Sequence, residues 1–119
     1  MAVAVIRRGD TVLASIQSDL SDGEVLALRA ELLERVGRHR LRGIVIDVAA
    51  LDVIDSFTAR ALRDIAISAR LRGAETIVVS IQPEVAIAMV HFRLDLHPLR
   101  TALDLDEALD RLEGSATGG

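Results

Sequence analysis

The chain has 119 residues, half of them hydrophobic and 2% aromatic, which suits one compact domain with a core of Val, Ile, Leu and Ala. A formal net charge of -4 and only two aromatic residues, Phe57 and Phe92, argue against nonspecific nucleic-acid binding and against base-stacking platforms. There is no Cys, and all 14 basic residues are Arg, which excludes disulfides, thiolate catalysis, Cys–zinc sites and every lysine-dependent mechanism.

Val3–Arg8 and Thr11–Gln17 are two β-rich runs joined by Gly9-Asp10, which reads as a hairpin. Ser21 with Glu24 three residues on has the form of a capping box. Val25, Leu28, Leu32 and Val36 then recur at helical spacing, so a helix is expected from Asp22 to His39. Glu31/Arg35 and Glu34/Arg38 add pairs four residues apart on its outer side. Ile44–Val48 is short and almost wholly apolar, as a central strand covered on both faces should be.

A second helix is expected from Ser56 to a left-handed stop at Gly73, with Phe57, Ala61, Leu62, Ile65 and Ala69 on its inner face. Thr76–Ser80 reads as another buried strand, and Pro83 opens a helix to Phe92. A short edge strand at Leu99–Ala102 and a last helix, capped by Asp104 and running through Leu112, complete the order. The expected fold is α/β: a mixed sheet, made of an N-terminal hairpin plus parallel strands, flanked by about four helices. Residues 1–113 read as a single domain and 114–119, Gly-Ser-Ala-Thr-Gly-Gly, as a disordered tail. The first ten residues do not suit a signal peptide, and no apolar run approaches the roughly 20 residues of a membrane span, so a cytoplasmic protein with no membrane partner is expected.

The segment richest in chemistry is Asp47 to Arg60, where a strand gives way to a loop carrying Asp52 and Asp55 and then to a helix beginning at Ser56. Sites of open α/β sheets gather at such strand ends. Asp55 or Ser56 can serve there simply as an N-cap. Ser56 can instead accept a phosphoryl group, since a hydroxyl at a helix start is exposed and close to unpaired amides that favour an anion. A phosphate carries a charge of about -1.5 to -2, against roughly 0.3–1 kcal/mol returned by the helix end, and Asp52 and Asp55 oppose it. Phosphorylation would therefore change what the surface binds more than how the domain folds.

Val12–Gln17, Gly43–Val48, Leu51–Arg60 and Gln82–Ile87, together with the order of elements, resemble the STAS domains of anti-anti-sigma factors. The specific parts are Asp55-Ser56-Phe57 with Arg60, and Gln82-Pro83 with Val85-Ala86-Ile87. Phe57, where other anti-anti-sigma factors have a small residue, makes the likeness greatest to the S-type (RsbS-like) scaffold branch of the bacterial stressosome. That resemblance implies a non-enzymatic antagonist of an anti-sigma factor that scaffolds a stressosome and is switched by phosphorylation of Ser56 in the general stress response. The partners it implies are a GHKL-type serine kinase, a phosphatase acting on Ser56 and R-type STAS proteins. Self-association as a dimer within a large hetero-assembly follows with them. It implies a partner-binding surface of Asp52, Asp55, Phe57, Thr58 and Arg60, and no cofactor, metal or catalytic residue of its own.

Three other readings stand beside it. A STAS antagonist outside a stressosome would bind an anti-sigma factor directly. A phosphoaspartate receiver could use Asp47, but such domains share an essential lysine that is missing here. A small α/β enzyme could use Asp47, Asp52 and Asp55 as acid, base or metal ligands, although His39, His91 and His97 show no ligand spacing. The cluster Arg35, Arg38, His39, Arg40 and Arg42 reads first as positive charge at a helix C-terminus and second as a patch for an acidic partner.

Overall fold

The structure, a computed structural model, describes residues 2–92 and 97–118. Val3–Arg8 (β1) and Thr11–Ile16 (β2) form the expected hairpin, with Gly9 at φ 60 in the two-residue turn. Helix α1 spans Asp22–His39. At its start Ser21 Oγ accepts the Glu24 amide at 3.2 Å while Glu24 Oε1 accepts the Ser21 amide at 3.0 Å. Strand β3 (Gly43–Asp47), helix α2 (Ser56–Arg70), strand β4 (Glu75–Val79), helix α3 (Pro83–His91), strand β5 (Arg100–Ala102) and helix α4 (Leu105–Gly118) follow.

The sheet order is β1-β2-β3-β4-β5, antiparallel in the hairpin and parallel in every later pair. This is the mixed sheet with four helices that the sequence pattern implies. One face carries Val12, Ala14, Ile16, Ile44, Ile46 and Val78, packed with the inner sides of α1 and α2 and with Val85 and Met89 of α3. The other face carries Val45, Ile77 and Val79 under Ala108 and Leu112 of α4. Because β3 has helices on both sides, Gly43 to Ile46 are all buried, which is why that run is continuously apolar.

Three expectations need correcting. Phe57 is not on the inner face of α2 but 37% exposed. The buried stripe is Thr58, Leu62, Ile65 and Ala69, with Ala59, Ala61 and Ala66 beside it. Thr58 stands four and seven residues before Leu62 and Ile65, so the 3.6-residue period assigns it the inward position and turns Phe57 outward. Helix α2 ends at Arg70 rather than running to Gly73. Gly73 takes φ 86 in the following turn, where the Ala74 amide reaches back to the Ala69 carbonyl at 2.9 Å. Helix α4 does not stop at Leu112 but continues to Gly118, so 114–118 carry helical backbone where disorder was expected. No proline interrupts that stretch. Gly119 lies outside the described residues.

Gly43 is more than the turn residue it resembles in sequence. A Cβ there would stand 2.6 Å from Leu112 Cδ1, so α4 seats directly on the backbone at the start of β3. Among the described residues no helix is long and apolar enough to cross a membrane.

Candidate functional site

The end of β3 launches the loop that carries the candidate residues. Asp47 Oδ1 accepts the Ala49 amide at 2.9 Å, and the Val48 amide donates to the Val79 carbonyl of β4 at 3.1 Å. From the far side Gln82, just before α3, donates its side-chain amide to the Ala49 carbonyl at 2.6 Å. Leu51 and Ile54 are buried and peg the loop to the core, while Asp52 and Val53 point to solvent, Val53 at 67% exposure. The loop is therefore held at both ends and in the middle, and it delivers Asp55 and Ser56 to a fixed place.

Asp55 is the N-cap of α2. Its Oδ1 accepts the Thr58 amide at 2.8 Å and its carbonyl accepts the Ala59 amide at 3.1 Å. The Thr58 amide, with a further contribution from the Thr58 hydroxyl, holds the Asp55 carboxyl below the usual aspartate value. Capping thus falls to Asp55 alone. Ser56 is the first helical residue, exposed, and among the described residues no hydrogen bond engages its Oγ. Of the two roles open to this pair in sequence, the structure gives the structural one to Asp55 and leaves the Ser56 hydroxyl unoccupied.

A lowered carboxyl value stabilises the fold above the unfolded aspartate value, about 3.9, and the contribution is lost as pH falls through the folded one. Asp55→Ala is expected to cost about 1 kcal/mol at neutral pH, read by urea unfolding. The gap between wild type and Asp55→Ala should close on acidification below about pH 4. A gap unchanged at low pH would show that the carboxylate is not the cap.

The surface residues divide in two. Asp52, Asp55, Phe57 and Arg60 are exposed around Ser56, as a partner surface requires, whereas Thr58 is buried and supports the surface from beneath. A groove of about 200 Å³ runs alongside, lined by Asp19, Leu20, Leu51, Val53, Ile54, Asp55 and Thr58. Asp19 and Leu20, from the link between β2 and α1, carried no signal in the sequence; only the parallel pairing of β2 with β3 brings that link beside the loop. Asp47 and Asp55 are each turned onto backbone amides of their own segment. Among the described residues no group of three or more His, Asp and Glu side chains is placed to hold a metal ion.

The matching family model is that of the STAS domain, over residues 2–108. The chain belongs to the STAS family. This STAS domain is 30% identical over 78 residues to RsbRA of Bacillus subtilis, an RsbT co-antagonist protein. The match takes in 66% of the chain but only 28% of that relative's length. Among solved structures, the STAS domain is similar to a serine-to-glutamate variant of RsbS from Moorella thermoacetica. That match has 34% identity and a TM-score of 0.84 and covers 98% of both chains. It is also similar to a chain in the molecular architecture of the stressosome, described as a signal integration and transduction hub. There the identity is 31%, the TM-score 0.76, and the match covers 96% of this chain and 99% of that one. The S-type likeness carried by Asp55-Ser56-Phe57 and Gln82-Pro83 therefore extends over the whole domain. The Gln82 bond to the Ala49 carbonyl gives the second of those motifs a physical purpose, because it ties α3 to the switch loop.

Proposed function

We propose that this STAS domain is a cytoplasmic stressosome scaffold and anti-sigma-factor antagonist that retains a GHKL-type serine kinase until Ser56 is phosphorylated, with a phosphatase on Ser56 restoring the bound state. The observation that carries the reading is the division of labour at the start of α2. Asp55 satisfies the Thr58 amide, so the exposed Ser56 hydroxyl can be modified without removing a cap. The added phosphate would sit at a helix N-terminus, which favours it, and beside Asp52 and Asp55, which do not. These opposed effects leave the fold intact and change the charge and bulk that a partner meets at Phe57 and Arg60. Co-assembly with R-type STAS proteins is supported by the likeness to RsbRA and to the stressosome chain.

The test is incubation with the serine kinase, ATP and Mg²⁺, followed by intact-mass measurement and light scattering in the presence of an R-type partner. Wild type should gain one phosphate and Ser56→Ala none, and the unphosphorylated protein should enter a very large particle that retains the kinase. Phosphate gained equally by Ser56→Ala, or persistent small species with the R-type partner, would count against the proposal.

A further inference from the structure

Helix α3 differs from the other three helices in its outward side. Helices α1, α2 and α4 each expose a row of charged residues: Glu31, Glu34 and Arg38 on the first, Arg60, Asp64 and Arg70 on the second, Asp106 and Asp110 on the fourth. Helix α3 buries Val85 and Met89, yet its exposed side is again apolar, with Ala86 beside Ile87 at 58% and Val90 at 74% exposure. A helix apolar on both sides is the pattern of one covered on both sides. Its only titratable residues are Glu84 at the N-terminal end and His91 at the C-terminal end, both exposed.

The spacing of these residues specifies what covers it. Glu84, Ile87 and His91 follow an i, i+3, i+7 stripe, and Val90 lies beside it. Glu84 and His91 are about 10 Å apart along the axis, with the apolar pair between them. We propose that α3 is the contact between two copies of this chain, which pair antiparallel about a twofold axis near the middle of the helix. In that pairing the imidazole N–H of His91 on one copy donates to the Glu84 carboxylate on the other, twice by symmetry. The two Ile87 and two Val90 side chains meet in the centre, and the opposed helix dipoles favour the same orientation. A parallel pairing would instead place Glu84 against Glu84. Self-complementarity of charge and of apolar surface on one stripe is what an isologous interface needs.

The patch is small and stands at the low end of interface sizes, below about 1,200 Å² in total. The pairing is therefore weak and reversible alone and gains strength when many copies are held together. It extends the scaffold reading, on which it rests for its purpose though not for its chemistry.

Sedimentation velocity over a wide concentration range tests it, with circular dichroism confirming that each variant is folded. Wild type should pass reversibly from monomer to dimer. Ile87→Glu and Val90→Glu should each weaken the dimer by at least about tenfold. Glu84→Arg and His91→Glu should each weaken it alone, and the double exchange should recover most of the loss. The proposal is overturned if wild type stays monomeric throughout, if the Glu variants dimerise like wild type, or if the double exchange is no better than the single ones. Loss of kinase capture with an unchanged dimer would equally overturn it, by assigning α3 to the kinase. Ser56 phosphorylation measured on the same variants keeps the two readings apart. Phosphorylation without dimers removes only the dimer contact, and dimers without phosphorylation remove only the switch.

Discussion

Alanine at Phe57 is expected to weaken retention of the serine kinase by about thirtyfold while the domain keeps nearly all its stability. Phe57 is the one aromatic side chain beside Ser56, and at 37% exposure it is neither in the core nor free of it. An aromatic ring already held against a rigid helix start loses little side-chain entropy on binding, and truncating such an anchor costs at least about 2 kcal/mol, or about thirtyfold in Kd. Leu62→Ala, at a buried position on the same helix, is the control. It should lower stability by about 2–5 kcal/mol and leave affinity of the folded protein nearly unchanged. Calorimetric titration with the kinase, paired with thermal melts, separates the two effects. Full affinity in Phe57→Ala would remove the ring from the partner surface.

The largest effect on stability is expected at Ile46. It lies in β3, fully buried, with Ala14 of β2 and Val78 of β4 as its register neighbours. Ile46→Ala removes three carbons under α1 and α2, and Ala14 is too small to fill the space. The loss should be about 2–5 kcal/mol, against about 0.5–1.5 kcal/mol for Ile46→Val. In urea the midpoint should fall with an unchanged slope, because the surface exposed on unfolding stays nearly the same. The consequence reaches the site, since the loop that carries Ser56 begins one residue after β3 ends. A cost below that of Ile46→Val would mean that the sheet face under α1 and α2 is not close-packed.

Most elements were legible because each is dictated by short-range physics. The hairpin follows from Gly9-Asp10 between two β-rich runs, α1 from the Ser21/Glu24 box and the Val25–Val36 stripe, and β3 from an unbroken apolar run. Local signals failed where a boundary has no local cause. The sequence offered no reason for α4 to continue past Leu112, and the bulk of Phe57 suggested a core position that the helical period assigns to Thr58.

The candidate site was legible as a segment but not as a surface. The strand–loop–helix order and the Asp55-Ser56 pair were enough to locate a switch and to place it at a strand end. They were not enough to say which of the two caps the helix, because aspartate and serine cap almost equally well. That choice is made by the loop pegs Leu51 and Ile54 and by the Gln82 tether, which fix the approach so that the Asp55 carboxylate meets the Thr58 amide.

The amino-acid sequence by itself determined the α/β class, the order of nine elements, the buried character of β3 and the place of Ser56. Periodicity, capping residues and turn residues act within a few positions of one another, so one strand of text contains them. Only the tertiary structure decided that Asp19 and Leu20 join the groove, that Gly43 is needed because Leu112 lies on it, and that α3 presents a second apolar side. Those facts depend on which segments the sheet brings together across long stretches of chain, and no local pattern encodes that distance.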